Sequence, residues 1–264
     1  MTRLKTREIL AYIAIKKEGD WDAIMDFINH YKEESIDEKE AFTLLSELKS
    51  NYITMADDDY PICLKNIYHP PFVLFYYGDK ELFKHCQAFD TVAVIGSREN
   101  SDYGAMMTRK IVAGVAKRFP IVSGLARGID AIASETAIAA GGRTIAVLGS
   151  GVDYCYPSEN YSLYQKIKNG HLLVSEYPNK VVPSPDKFPL RNRIIAGLSN
   201  TVVVTEAGNI SGTSITVTLA LQSGRTIMCV PYPADKNSAC NRLIKEGAFL
   251  VESAEDVFES MSLY

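Results

Sequence analysis

A chain of 264 residues, 47% hydrophobic and 23% charged, is long enough to bury a substantial core as one large or two unequal domains. Its formal net charge of -4 excludes a protein that coats nucleic acid or anionic membrane by bulk charge, so any polyanion would have to be held by a local patch. No apolar run reaches membrane-spanning length, the N-terminus lacks the continuous apolar core of a signal peptide, and the five cysteines are scattered without a C-x-x-C pair, so the expectation is a cytoplasmic protein with no disulfide framework or zinc knuckle.

Residues 1–56 predict a small all-helical module. Ile9 and Ile13, then Trp21, Ile24 and Ile28, then Phe42, Leu45 and Leu48 recur at three- and four-residue spacings that place each set on one helix face. Residues 57–90 read as a connecting segment: Asp57–Asp59 is a solvated acidic run, since three consecutive carboxylates do not converge on one ion, and Val73–Tyr77 is a single apolar strand stopped at Gly78. From 91 to 264 the texture changes. The runs "TVAVIGS", "PIVSGLA", "TIAVLGSG", "HLLVSEY", "TVVVTEAG", "TIMCVP" and "AFLVES" are apolar almost throughout and separated by helix-length segments. That pattern predicts an α/β domain, a doubly wound, mostly parallel, Rossmann-like sheet covered on both faces. The stripes Met107, Ile111, Val115, then Ile132, Ala137, Ala140, then Ile215, Leu219, Leu221 are expected to be the core faces of its helices.

Open parallel sheets bind ligands beyond the carboxyl ends of their strands. Here those ends carry Gly96-Ser97-Arg98, then Ser123-Gly124-Leu125-Ala126-Arg127-Gly128, then Gly149-Ser150-Gly151, then "TEAGNISGTS" over residues 205–214. Glycine lets backbone amides approach a ligand, hydroxyls donate, and Arg98 and Arg127 supply forked cations suited to phosphate. Each piece alone is ordinary turn chemistry; four successive strand ends of this type describe an anion cradle. A dinucleotide fingerprint does not fit, since "GSGVDY" puts Tyr154 where a third glycine belongs, and no "G-x-x-x-x-G-K-[ST]" is present. His30, His69, His85 and His171 lie in no catalytic motif, so neither a catalytic constellation nor a metal site nor a cofactor is expected. Glu176 and Glu206 end strands, where they could move protons or simply bind loop amides.

Between the fourth and fifth of these strands lies "FPLRNRIIAGLSN". Pro189 should end a proline-rich loop and Ile194, Ile195 and Leu198 should anchor a helix with Arg191, Asn192 and Arg193 on its first turn. Cations there oppose the helix dipole, which an anion bound at that terminus would offset. The alternative is that one of the two arginines pairs with Glu176 or Glu206.

"VAVIGSRENSDYG", "IVSGLARGIDAIA", "TIAVLGSGVDYCYPSEN", "LLVSEYP", "FPLRNRIIAGLS" and "GTSIT", in this order and spacing, resemble the DNA processing protein A (DprA/Smf) family over about residues 60–251. The resemblance implies an extended Rossmann-like domain after a small SAM-like helical domain, a homodimer formed through the Rossmann domain, and a non-enzymatic protein that binds and protects single-stranded DNA and loads the RecA recombinase in natural transformation. Carried over by motif, the DNA-binding residues would be Gly96, Ser97, Arg98, Ser123, Gly124, Arg127, Gly128, Lys187, Phe188, Arg191 and Asn192, with Phe188 stacked on a base. Arg191 would meet phosphate beside Arg98 and Arg127, and Arg193 would be structural. The chain departs from the family at Ala133-Ser134, at "SGTSIT" and at "VPYPADKNSACN", the last near the expected dimer edge. Two other readings remain open. A related Rossmann-like fold serves nucleotide phosphoribohydrolases, whose "PGG-x-GT-x-x-E" glutamate is absent after Gly212-Thr213, and a nucleotide-sensing module would share the same cradle.

Overall fold

The computed structural model describes residues 4–31, 36–208, 212–236 and 238–262. Three helices come first, α1 (Thr6–Lys16), α2 (Trp21–Asn29) and α3 (Glu38–Glu47). Asp20 caps α2 by accepting from Ala23 N at 2.8 Å, and Asp37 caps α3 by accepting from Lys39 N at 2.9 Å. Then follow β1 (Asn51–Thr54), β2 (Val73–Gly78), α4 (Leu82–Gln87), β3 (Val92–Gly96), α5 (Asp102–Val115), β4 (Ile121–Ser123), α6 (Ile129–Ala139), β5 (Thr144–Val147), α7 (Tyr161–Gly170) and β6 (Leu172–Ser175). The chain continues through α8 (Lys187–Gly197), β7 (Thr201–Glu206), α9 (Gly212–Gln222), β8 (Thr226–Cys229), α10 (Ala239–Lys245), β9 (Phe249–Leu250) and α11 (Ala254–Met261).

All seven apolar runs are strands, and β3 to β9 pair with one another only in parallel. Their β-branched residues, buried at Val92, Val94, Ile121, Val147, Val203 and Ile227, suit a sheet covered on both faces. The nine strands of the described residues run β1-β2-β6-β5-β4-β3-β7-β8-β9. The chain winds outward from β3 through β4 and β5 to β6, then returns to the other side of β3 as β7. Strand order therefore reverses between β3 and β7, the crevice where such sheets place ligands.

The sheet is larger than the seven apolar runs foretold. β2 adds antiparallel to β6, and β1, formed by residues read as the end of the helical module, adds antiparallel to β2. Tyr52, Ile53 and Thr54 are good strand formers, but four residues give too short a pattern to separate from a helix tail. Nor does Asp57 hang in solvent: it accepts from Thr54 N at 2.8 Å and pairs with Arg7 at 3.2 Å, closing the turn after β1. The N-terminal helices share a core with the sheet, Tyr12, Ile13, Ile24 and Phe27 packing in one cluster with Val73, Phe75, Ala146 and Leu148. On α9 the buried side is Thr213, Thr216, Val217 and Ala220, while Ile215 and Leu221 face outward. The stripe read from the sequence chose the larger side chains, and the packed face is the smaller ones.

The helix of "FPLRNRIIAGLS" begins at Lys187, before Pro189. Proline is tolerated in a first turn because the N–H it lacks has no intrahelical acceptor there. Arg191 and Arg193 consequently sit past the first turn, where the dipole penalty has largely faded. Their presence needs another explanation.

Candidate nucleic-acid interface

The crevice is built from close approaches between loops. Ser97 N donates to Glu206 O at 2.9 Å across β3 and β7, and the Ser97 hydroxyl accepts from Glu99 N at 3.1 Å and donates to Glu99 O, so this serine closes its own turn. Gly128 caps α6 with φ +71°, and a Cβ there would lie 2.3 Å from Ser97 O. Only glycine lets the start of α6 lie against that loop, where Ile129 N donates to Ser97 O at 3.1 Å. Glu206 accepts from Ser101 N at 2.9 Å and from its hydroxyl, the loop-amide role foreseen as one of its two readings.

Arg98 leaves this loop into solvent with no carboxylate partner among the described residues. Its guanidinium lies over the Phe188 ring, 5.5 Å from the centroid. Phe188, half-buried on the first turn of α8, stacks on Tyr156 with centroids 5.3 Å apart and planes 29° from parallel. It also seats against Gly149, where a Cβ would approach the ring to 2.8 Å. Lys187 sits beside it, donating to the Ser184 hydroxyl at 2.7 Å. Two cavities flank Arg98. One of about 390 Å³ lies at the switch point among Gly96, Arg98, Asp130, Asn192, Thr213 and Thr216; the other, about 260 Å³, is lined by Arg98, Arg127, Tyr156, Phe188 and Arg191.

Some expected contact residues turn inward. Ser123 is fully buried and its hydroxyl donates to Val94 O at 2.8 Å, tying β4 to β3. Arg191, 4% exposed, donates through Nη1 to Gly124 O at 2.7 Å and to Val147 O, and through Nε to Asn192 Oδ1 at 3.1 Å. Its charge clamps the carboxyl ends of β4 and β5, and the side chain expected to meet phosphate with Arg98 and Arg127 lines the walls of both cavities. Burial lowers its pKa to about 10, which leaves it charged at neutral pH. Asp130 faces it and accepts from Gly124 N at 3.1 Å; burial raises that carboxyl and the neighbouring Arg191 opposes the shift. Gly124 leaves space for both groups, since a Cβ would come within 2.7 Å of each.

Arg193 points the other way along α8, as positions two apart on a helix must. It meets Glu176 with both terminal nitrogens, Nη1 to Oε1 at 2.7 Å, and donates through Nε to His69 O at 2.8 Å. Both side chains are about 5% exposed. Of the two arginines, this is the one that pairs with a strand-end acid.

Arg127 is exposed but not free, because Glu159 of "YPSEN" holds it at 2.5 Å. Neither Glu159 nor Tyr156 was singled out from the sequence. Tyr156 lies 32 positions before Phe188, so only the fold brings their rings together. Thr213 of the larger cavity belongs to the "TEAGNISGTS" strand end of the expected cradle, whereas Thr216 does not, and Asn209–Ser211 of the loop before α9 lie outside the described residues.

A family model described as DNA recombination-mediator protein A matches residues 51–262. The DNA processing protein DprA of Streptococcus pneumoniae is 44% identical over 206 residues, which cover 77% of this chain and 72% of that protein. Its X-ray structure superposes with a TM-score of 0.79 at 37% identity, covering 97% of this chain and 93% of that one. Protein Smf of Synechocystis is 41% identical over 213 residues, 80% of this chain and 54% of that protein, so the chain spans about half of that relative's length. The DNA processing protein A of Helicobacter pylori, solved for its single-stranded DNA binding mode, superposes with a TM-score of 0.69 at 28% identity over 82% of this chain and 97% of that one.

Proposed function

The chain belongs to the DNA recombination-mediator protein A family, and from that premise we propose that it binds single-stranded DNA at the carboxyl ends of β3, β4 and β5 and hands it to a RecA-type recombinase. The observation that carries this reading is the exposed Arg98, with no carboxylate partner among the described residues, set over the Phe188–Tyr156 stack at the mouth of two cavities. A cation beside an aromatic stack whose outer member, Tyr156, is exposed suits a single strand, whose phosphates and unstacked bases are presented together, better than a duplex, whose bases are stacked away. The partner recombinase, a homodimer formed through the Rossmann-like domain, a cytoplasmic setting and action without catalysis are parts of the same proposal. The description of the matching family as a recombination mediator supports the first of them. A phosphoribohydrolase reading lacks its glutamate: Thr216 stands at that position on α9, lining the larger cavity.

Fluorescence anisotropy with a labelled oligonucleotide tests the proposal. Binding should favour single strands over duplex and weaken with salt, with a log–log slope of about -0.7 for each phosphate contacted. Equal affinity for duplex, indifference to salt, or release of base from nucleoside monophosphates would overturn it.

The Arg127–Glu159 pair adds a second expectation. Exposed ion pairs are weak, and here the carboxylate competes with phosphate for the guanidinium. Glu159→Gln should therefore tighten single-strand binding by up to about fivefold and steepen its salt dependence. Unchanged or weaker binding by that variant would show that Arg127 meets no phosphate.

A further inference from the structure

Four rings form a column on the side of α8 that Arg193 faces. Trp21 of α2 lies flat on His69 with centroids 3.9 Å apart and planes 1° from parallel, Phe72 follows beneath Trp21 at 5.5 Å, and Tyr68 covers the other face of His69 at 3.8 Å and 17°. The lower part has an evident structural task. Trp21 Nε1 donates to Pro70 O at 2.9 Å, fastening the N-terminal helices to the segment that leads into β2.

The upper end has none. Tyr68 is 63% exposed, with one ring face on His69 and the other bare, and its hydroxyl makes no hydrogen bond among the described residues. His69 holds φ at +48°, a conformation unusual for a residue with a side chain, and its carbonyl is pinned there by Arg193 Nε at 2.8 Å. Backbone kept in such a conformation by surrounding contacts is a feature of functional sites. The result is an exposed ring backed by three others and held in place before any ligand arrives. A planar, pre-organised ring with a free face is what a nucleobase needs, because every base offers a π-face and little ordering cost remains.

We propose that Tyr68 is a second base-stacking platform, on which a base of the same single strand rests after the strand passes the Phe188–Tyr156 stack. The proposal rests on the single-strand-binding reading given above. Arg193 links the two places: its helix carries Phe188 on the cavity side, and its guanidinium holds His69 on the other.

The test compares labelled oligothymidylates of about 4 and about 20 nucleotides, lengths that fill one platform and exceed it. Wild type, Tyr68→Ala, Tyr68→Phe and Phe188→Ala are measured by anisotropy. Tyr68→Ala should weaken binding of the longer strand about tenfold, as loss of one stacked base implies, and leave the shorter one unchanged, while Tyr68→Phe should bind both as wild type does. Wild-type affinity of Tyr68→Ala for the longer strand overturns the inference, as does an equal loss in Tyr68→Phe, which would assign the effect to the hydroxyl, or an equal loss on the shorter strand, which would put Tyr68 in the first platform. If Phe188→Ala weakens binding and Tyr68→Ala does not, this inference alone falls. Failure of the wild type to bind either strand overturns the functional reading and the second platform with it.

Discussion

Arg193→Met is expected to destabilise the protein by about 3–5 kcal/mol, read as a lower midpoint in chemical denaturation with an unchanged slope. The pair it breaks is almost wholly buried, Arg193 at 4% and Glu176 at 5% exposure. Removing the guanidinium leaves the Glu176 carboxylate without its forked partner and takes donors from His69 O and Leu190 O as well. The cost is mostly the stranding of a buried charge, not the net worth of the pair, and this makes the expectation specific. Arg193→Met combined with Glu176→Leu should recover part of the loss, since two apolar groups of similar volume remove both charges together. A double variant as unstable as the sum of its single changes would show that the two side chains do not act as a pair. Arg191→Ala should likewise leave buried polar groups without a partner. With Nη1 on Gly124 O and Asp130 facing it, that change should first lower stability, so weaker DNA binding by Arg191→Ala alone would not locate a phosphate contact.

Much of the fold was legible because strands buried on both faces are written in β-branched residues, and the seven runs from Thr91 onward needed no knowledge of their neighbours. What escaped was set by packing. β1 is four residues long and takes its place in the sheet only through β2; Ile215 and Leu221 of α9 look like core and face solvent; and α8 starts before Pro189 because that proline is compatible with a first turn. The site was legible in a similar proportion. Gly96, Arg98, Arg127, Gly128, Phe188 and Asn192 gather at the β3–β7 switch point or beside it, while Lys187 turns to Ser184 and lines neither cavity. Charge type alone does not say where a guanidinium finds its acceptors: Arg193 reads from the sequence as structural, but Arg98, Arg127 and Arg191 read alike as phosphate-binding, and the four meet four different fates. Arg98, Arg127, Arg191 and Arg193 are respectively without a carboxylate partner among the described residues, held by an exposed acid, engaged by strand-end carbonyls, and locked to a buried acid.

Those fates make Arg98 and Phe188 the pair on which binding should depend most, and their two losses should differ in kind. Arg98→Ala removes an exposed cation with no carboxylate to strand, so stability should hold within about 0.5 kcal/mol. Single-strand affinity at low salt should fall about tenfold, and the log–log salt slope should become shallower by about 0.7, the signature of one phosphate contact. Phe188→Ala removes a stacking surface worth about 1–3 kcal/mol, a loss of roughly fivefold to a hundred-and-fiftyfold, with the salt slope changing less than in Arg98→Ala because no charge is removed. The two effects should not add. The Arg98 guanidinium rests over the Phe188 ring at 5.5 Å, so without the ring the arginine loses the support that aims it, and the double variant should bind better than the product of the two losses predicts. Anisotropy titrations of the four proteins across a salt series measure the affinities, the slopes and their coupling, and chemical denaturation checks the stability. If Arg98→Ala leaves both affinity and slope at their wild-type values, the strand does not pass this edge of the sheet, whatever Phe188→Ala does.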